Sequence, residues 1–196
     1  MLKNNENTTD VESIKAAIKK KADGWKRTRS NRISASERLK GYSSKWNMVT
    51  FIFNVEAVLF MVISLKYPIL NGIDAVISGF FSLYVILLQY FLATLNYEAR
   101  ALKFHYEELQ IENLRLRLKQ LYHSSKSAEQ LSSEYNGITR EYQENLTGYE
   151  NHGEIDDLRT TAKKKVSDYS IENMFIYANF IIVIAAPVLF ACQYVL

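Results

Sequence analysis

One carboxylate, Glu56, stands inside an otherwise uncharged apolar stretch that runs from Met48 to Leu65. A carboxylate at membrane depth is costly unless it is paired, protonated or wetted, so such a residue marks a functional site by default. Glu56 is therefore a candidate for pairing across a subunit boundary, for holding a proton, or for coordinating a passing cation. The alternative is a neutral carboxyl group buried against a serine or an asparagine.

A second cluster of side chains that could bind a ligand or exchange a proton lies further along the chain, where Asn151 and His152 precede Asp156 and Asp157. A histidine near carboxylates can titrate close to neutral pH. Together with Tyr149, these side chains are candidates for sensing or assembly, through contact with a signal molecule or a partner. The alternative is structural, because the same residues can cap and brace the end of the helix that precedes them.

The motifs of the common enzyme classes do not occur in the sequence. No histidine lies near a cysteine or in an HExxH pattern, the seven glycines are scattered, and no GxSxG sequence is present. The single cysteine, Cys192, rules out an internal disulfide, a cysteine zinc cluster and a CxxC pair. A net charge of +3 is too small to suggest a nucleic-acid binder. We therefore expect no enzymatic activity, no cofactor, no metal and no direct contact with nucleic acid.

Three apolar blocks must position these residues. They cover Met48–Leu65, Ala75–Leu95 and Met174–Leu196. A helix of about 20 apolar residues crosses the hydrocarbon core of a bilayer, and blocks of this length have nowhere else to lie. Pro68 and Asn71-Gly72 predict a turn between the first two blocks. The sequence therefore predicts a transmembrane hairpin followed by a third transmembrane helix.

Polar and small residues recur along one face of each predicted span when positions are placed at 100° per residue. The stripes contain Asn47, Thr50, Asn54 and Ser64; Ser78, Ser82, Gln89 and Ala93; and Asn179, Ala186 and Gln193. Such stripes serve either tight helix packing or the lining of a wet pore. Three helices enclose too little space for a channel, so a pore requires several copies. The candidates for lining or gating are Asn54, Glu56, Ser78, Ser82, Gln89, Asn179 and Gln193.

The polar region between the second and third blocks predicts two helices. Asn96–Ser125 contains no glycine or proline and carries two apolar stripes with seven-residue spacing. The stripes are Tyr97, Phe104, Ile111 and Leu118, and Leu102, Leu109 and Leu116. A double stripe predicts a helix packed on two sides, in a bundle or coiled coil. Ala128–Asn151 follows as a second amphipathic helix, which we expect to pack antiparallel to the first and to end at Gly153.

The first 45 residues carry twelve lysines and arginines against five acidic residues, a net charge of +7. Thr9 and Glu12 predict a capping box at the start of a helix, and Asp23-Gly24 predicts its end. Ser34 and Glu37 predict a second helix. The basic side chains either remain solvated or contact anionic lipid headgroups. The candidates for lipid contact are Lys19, Lys20, Lys21, Lys26, Arg27 and Arg29.

These segments define an all-α membrane protein with a transmembrane helical hairpin, a cytoplasmic antiparallel helical hairpin and a C-terminal third transmembrane helix. The predicted parts are basic N-terminal helices over 1–45, the transmembrane hairpin over 46–95, the cytoplasmic helical region over 96–173 and the last span over 174–196. The hairpin turn carries only Lys66, whereas both polar regions are rich in basic residues. The positive-inside rule therefore places the N-terminus in the cytoplasm and the C-terminus outside.

A family resemblance rests on the residues between 130 and 157. Three tyrosines are spaced by seven, and two short motifs follow: Tyr135, Tyr142 and Tyr149, then Tyr149-Glu150-Asn151-His152, then Glu154-Ile155-Asp156-Asp157. Together with the basic helix Arg32–Lys40 and the tight hairpin, this pattern resembles the SLATT domain, the SMODS and SLOG-associating two-transmembrane effector. The third span departs from a plain two-transmembrane scheme.

The resemblance implies a multi-pass effector in the bacterial inner membrane that works with a nucleotide-second-messenger system. One branch of the family lies next to reverse transcriptases, and we favour this branch. We expect a homo-oligomer that forms a pore and depolarises or breaches the membrane, an abortive infection that stops the cell before phage matures. The alternative is a membrane-anchored scaffold that holds a reverse transcriptase or nucleotidyltransferase at the bilayer. A small transporter subunit is a third interpretation.

Overall fold

The structure, a computed structural model, describes residues 2–68, 72–147, 150–162 and 166–193. Six helices account for most of these residues, and no strand occurs among them. The helices are α1 (Leu2–Lys66), α2 (Ile73–Leu95), α3 (Tyr97–His123), α4 (Ala128–Leu146), α5 (Glu154–Ala162) and α6 (Ile171–Cys192). The all-α prediction is confirmed.

The chain folds into two compact units. The first contains residues 1–38 and 100–166, and the second contains residues 39–99 and 167–196. Helices α1 and α3 each contribute residues to both units.

The first unit is a helical bundle around a core of aliphatic and aromatic side chains. Ile18 and Trp25 of α1 enter this core with Leu118 of α3 and Leu131 of α4. The ion pairs Arg117–Glu141 (2.6 Å) and Lys126–Glu134 (2.5 Å) join α3 to α4 in antiparallel order. The antiparallel hairpin is confirmed, and the N-terminal part of α1 packs as its third helix.

The turn between α3 and α4 is set by a capping box. The Ser127 hydroxyl accepts a hydrogen bond from the Gln130 backbone N–H, and the Gln130 side chain accepts one from the Ser127 backbone N–H. This arrangement satisfies backbone donors that the first turn of a helix leaves unpaired.

The predicted break at Asp23-Gly24 is wrong, because α1 continues through it as one helix of 65 residues. A glycine inside a helix costs about 1 kcal/mol relative to alanine. The residues on either side, Ala22 and Trp25, are buried, and the Trp25 ring stacks on Tyr142 with a centroid distance of 4.1 Å. Burying one large side chain contributes about 1.5–3 kcal/mol, which exceeds the glycine cost. The predicted second helix from Ser34 is part of the same α1.

The predicted end of the fourth helix is also wrong. Helix α4 ends at Leu146 rather than Asn151, and Thr147 adopts an extended conformation. The backbone carbonyl of Glu150 accepts a hydrogen bond from the Arg32 side chain instead of a helical partner. A tertiary contact thus competes with helix continuation, and Gly153 lies between α4 and α5.

The second unit packs α2, α6 and the C-terminal part of α1 through aromatic rings. Phe60 stacks on Phe190 at a centroid distance of 4.3 Å, and Phe53 meets Phe81 edge to face at 5.7 Å. Gly72 has a φ of 90°, a left-handed conformation that glycine adopts without steric cost, as the predicted turn requires. Asn71, the other turn residue, lies outside the described residues.

Three helices among the described residues, α1, α2 and α6, are long and apolar enough to cross a membrane. Their large apolar side chains are extensively exposed in the single chain, as lipid-facing surfaces are. The three predicted spans are therefore confirmed as helices of the necessary length and composition.

Candidate functional site

The polar stripes of the first two spans meet across the hairpin. The Gln89 side-chain amide donates a hydrogen bond to the Asn54 side-chain oxygen at 2.8 Å. Asn54 is exposed and Gln89 is half-buried, so the pair lies at the surface of the single chain. Residues of both helices and of the start of α3 continue this surface as a groove of about 310 Å³, which we call the hairpin cleft. Its polar lining includes Ser43, Asn47, Thr50, Gln89, Asn96 and Glu98.

Trp46 forms one wall of the hairpin cleft, and its indole N–H is buried without a hydrogen-bond partner among the described atoms. The Thr50 hydroxyl donates to the Trp46 carbonyl at 2.8 Å, within its own helix. A buried unpaired donor is costly, and water or a ligand group can satisfy it. The cleft thus combines exposed amides with an unused donor.

Three of the other predicted pore residues make contacts of a different kind. The Ser78 and Ser82 hydroxyls donate to carbonyls one turn earlier in α2, at 2.8 and 2.9 Å. The Asn179 side-chain oxygen accepts a hydrogen bond from the Tyr84 hydroxyl at 2.6 Å, which joins α6 to α2. Interhelical bonds of this type hold membrane helices together.

Two further candidates are partly or fully enclosed. Glu56 is only 8% exposed, and its Oε2 has no hydrogen-bond partner among the described atoms. Gln193 follows the last turn of α6, and its Oε1 is likewise buried without a partner among them. Both side chains are polar groups held away from solvent in the single chain.

In the first unit, α5 and the residues just before it are fastened to α1 by three sets of polar contacts that we call the α5 clamp. The fully buried Asp156 carboxylate accepts two hydrogen bonds from Arg38, at 3.0 and 2.9 Å. Asp157 accepts two from Arg27, at 3.0 and 2.6 Å. The third contact joins His152 to the amide of Asn31.

The centre of the clamp is the Asn31 amide. Its nitrogen lies 2.9 Å from His152 Nε2 and donates to Asp157 at 2.8 Å, while its oxygen accepts from the Thr160 hydroxyl at 2.5 Å. A groove of about 660 Å³ opens beside it, lined in part by Gly24, Thr28 and Leu158. Of the remaining predicted sensing residues, Asn151 is exposed, and Tyr149 lies outside the described residues.

The surroundings of the clamp shift the pKa values of Asp157 and His152. The hydrogen bonds from Arg27, and then from Asn31, lower the pKa of Asp157. Burial, followed by the positive charge of Arg32, lowers the pKa of His152 below its ordinary value of 6.5. The folded clamp therefore favours a carboxylate at Asp157 and a neutral imidazole at His152.

The basic residues assigned to lipid contact divide into two groups. Lys19, Lys20 and Lys26 are exposed, and Lys21 is half-buried. Arg27 is paired with Asp157, and Arg29 is paired with Glu108 at 2.6 Å. Contact with lipid headgroups remains a prediction for all of them.

Sequence reasoning missed a buried ion pair in the first unit. Arg32 and Glu107 lie 3.1 Å apart with side chains 5% and 2% exposed, and the Arg32 guanidinium lies over the Phe104 ring at 5.2 Å. Burial raises the pKa of Glu107 against the opposing charge of Arg32.

A signal for Arg32 was present in the sequence. Seven buried residues of α1 follow one another at intervals of seven: Ile18, Trp25, Arg32, Leu39, Trp46, Phe53 and Phe60. An arginine within such a stripe is placed toward the core rather than toward solvent.

The fold and the hairpin cleft define a helical membrane protein with three candidate spans and a polar helical bundle. The chain belongs to the SMODS and SLOG-associating 2TM effector domain family 5, whose sequence profile matches residues 14–195. The resemblance found from the sequence is therefore confirmed, and the matched region includes α6 as well as the hairpin. No curated protein and no solved structure matches the chain.

Family membership gives the general role. The family is defined as a two-transmembrane effector domain that associates with SMODS and SLOG, so this chain is a membrane effector.

Proposed function

We propose that this protein is an antiphage effector whose copies assemble into a pore that depolarises or breaches the bacterial inner membrane. The observation that carries the proposal is the Asn54–Gln89 pair, which lies at the surface of the transmembrane hairpin. Amide groups that face lipid are costly, so such a pair is expected to face protein or water. In an assembly whose copies turn their hairpin clefts toward a common axis, this amide pair faces both the neighbouring copies and the water of the pore.

The trigger is proposed to act on the cytoplasmic bundle. The α5 clamp and its groove are the surface that best suits a signal molecule or a partner, because they combine charged groups, amides and open space. A trigger shifts a closed–open equilibrium only if it binds the open state more tightly. We further propose a partner from a nucleotide-second-messenger system or a reverse transcriptase, as in the branch that the sequence resembles.

Membrane potential in cells tests the pore directly. Induced expression with the trigger present, followed with a potential-sensitive dye, is expected to show rapid depolarisation. The double variant Asn54→Leu/Gln89→Leu removes the exposed amides while keeping apolar bulk, and depolarisation should be lost. The matched control is Tyr90→Leu, which also removes a polar group from an exposed position of α2, beside Gln89.

The outcomes separate the two functions weighed from the sequence. Depolarisation that persists in the double variant would contradict the proposal. Unchanged potential with the wild-type chain, together with retained pull-down of a partner enzyme, favours the membrane-anchored scaffold instead. Membrane fractionation of each variant confirms that the chain still inserts.

A further inference from the structure

One apolar stripe of α3 remains about half exposed in the single chain. The sequence predicts that both stripes of this helix are packed, but of the two only the first is buried: Tyr97, Phe104, Ile111 and Leu118 are at most 6% exposed. The second stripe is about half exposed, at 47%, 49% and 47% for Leu102, Leu109 and Leu116. Three leucines at seven-residue spacing on an exposed helix face form an apolar surface on which a second helix can pack.

The neighbouring exposed positions complete a coiled-coil repeat. If the three leucines occupy the d positions of a heptad, the a positions are Tyr106, Asn113 and Gln120, and all three are exposed. We call this face, residues 102–120, the α3 seam. Leucine at d with a polar residue at a is a pattern that fixes register at a cost in stability. A seam of this kind suits an association that is conditional rather than permanent.

The charges beside the seam favour a second copy of this chain, with its α3 parallel to the first. In a parallel pair of copies, each g position faces the e position five residues further along the other helix. Glu112 then faces the partner copy's Arg117, and His105 faces its Gln110, so no like charges meet. An antiparallel pair in the usual register sets each seam leucine opposite an a position of the other helix, so that Leu109 faces Asn113. The same register places Glu112 opposite its own equivalent and Lys103 opposite Arg117. Like charges at such sites are destabilising.

The present partners of these residues leave them available. Arg117 pairs with Glu141, and both side chains are 43–45% exposed, so this surface bond exchanges readily. Glu112 accepts from Arg115 at 2.7 Å and lies 3.3 Å from Arg29, with its side chain 26% exposed. A carboxylate offers about four lone-pair sites, so it has capacity for a further donor.

We propose that the α3 seam is the self-association surface of this protein, and that it joins two copies in parallel through Leu102, Leu109 and Leu116. The inference rests on the proposed function in one respect, because it names a surface through which pore-forming copies meet in pairs.

Disulfide cross-linking of the full chain in membranes tests the seam. In a Cys192→Ser background, Asn113→Cys places one thiol at an a position. A parallel pair brings the two equivalent a positions within the Cα separation of about 4.4–6.8 Å that a disulfide spans. We expect an oxidant to produce covalent dimer from Asn113→Cys and none from Arg140→Cys, an exposed control on α4. Adding Leu109→Gln and Leu116→Gln should abolish the dimer.

The seam leucines are exposed, so these substitutions leave the core intact, and circular dichroism checks that helix content is retained. Dimer at position 113 no greater than at position 140, or dimer that survives the two glutamines, overturns the proposal. Failure of the pore proposal is seen separately: cross-linking without depolarisation keeps the seam and removes the pore. Depolarisation without cross-linking at position 113 keeps the pore proposal and overturns the seam.

Discussion

The residues that hold the α5 clamp are individually ordinary and gain their roles from burial. Asp156 is fully buried and takes both hydrogen bonds of the Arg38 guanidinium, with a further bond from the Gly153 backbone N–H at 3.0 Å. Removing one partner of a buried ion pair leaves an uncompensated charge and costs about 3–5 kcal/mol. Asp157, one residue later, pairs with an arginine whose side chain is 66% exposed.

Asp156→Asn should therefore detach α5 from α1, because Arg38 keeps its charge and loses the countercharge. Hydrogen exchange of the amides in α5, measured with the protein in detergent or nanodiscs, is expected to accelerate strongly. Asp157→Asn is the matched control, and it should change exchange far less because solvent screens its pair. Equal acceleration in both variants would argue against the buried pair as the main attachment.

The clamp should also loosen in mildly acidic solution. Because the folded pKa of His152 lies below 6.5, the unfolded state binds the proton more readily. The contribution of His152 is thus complete above about pH 6.5, the value of a free imidazole. It is lost as pH falls through the folded pKa. Asp157 has a lowered pKa and loses its contribution only at pH below its ordinary value of 3.8.

Hydrogen exchange of α5, corrected for the intrinsic pH dependence of exchange, measures this effect between pH 7.5 and 5. The wild-type chain should show a fall in protection across this range. His152→Gln retains a neutral acceptor for the Asn31 amide, and its protection should change little with pH. A fall of the same size in His152→Gln would assign the effect to another group.

The clamp was only partly visible in the sequence. The types of Asn151, His152, Asp156 and Asp157 marked the segment, but their partners on α1 lie more than 110 residues away. Spacing along the chain predicts contacts within a helix, whereas contacts of this separation depend on how the helices pack.

At the scale of elements, the hydrophobic pattern of the sequence predicts well which segments are helices, but it predicts poorly where each helix begins and ends. The long apolar runs and the seven-residue stripes of α3 are strong signals, because they extend over many turns. The break at Asp23-Gly24 and the end at Asn151 were inferred from one or two residues each. At both places a tertiary contact, that of Trp25 or of Arg32, outweighs the local preference.

Gly24→Ala tests the continuity of α1. Gly24 is exposed and helical, and a Cβ added there meets no atom within 4 Å. Alanine should therefore raise the free energy of unfolding by up to about 1 kcal/mol. Thermal unfolding followed by circular dichroism should show a higher midpoint. Gly72→Ala is the contrasting variant, since its φ of 90° strains any other residue, and it should lower the midpoint.

At the scale of the whole molecule, the packing of residues 1–38 with residues 100–166 in one unit requires both segments to lie on the same side of a membrane. Basic residues favour the cytoplasm for that side, and the hairpin turn and the C-terminus then lie outside. This orientation remains a prediction, as do the predicted boundaries at 45, 95 and 173.

Single cysteines in a Cys192→Ser background decide the orientation in intact cells. Lys66→Cys at the hairpin turn should react with a membrane-impermeant maleimide from outside, because the turn is predicted to face the periplasm. Ser125→Cys, in the turn between α3 and α4, should react only after the inner membrane is permeabilised. The opposite pattern of labelling would reverse the topology while leaving the fold unchanged.

The buried stripe of α1, from Ile18 to Phe60, constrains how this chain can vary in length. Each residue inserted into a helix turns everything after it by about 100°. A single insertion near Ser44 would therefore turn Trp46, Phe53 and Phe60 away from the face on which Leu39 is buried in the same unit. Seven inserted residues return the stripe to within about 20° of its path. Relatives that lengthen or shorten this helix are therefore expected to do so by whole heptads, or else to interrupt it.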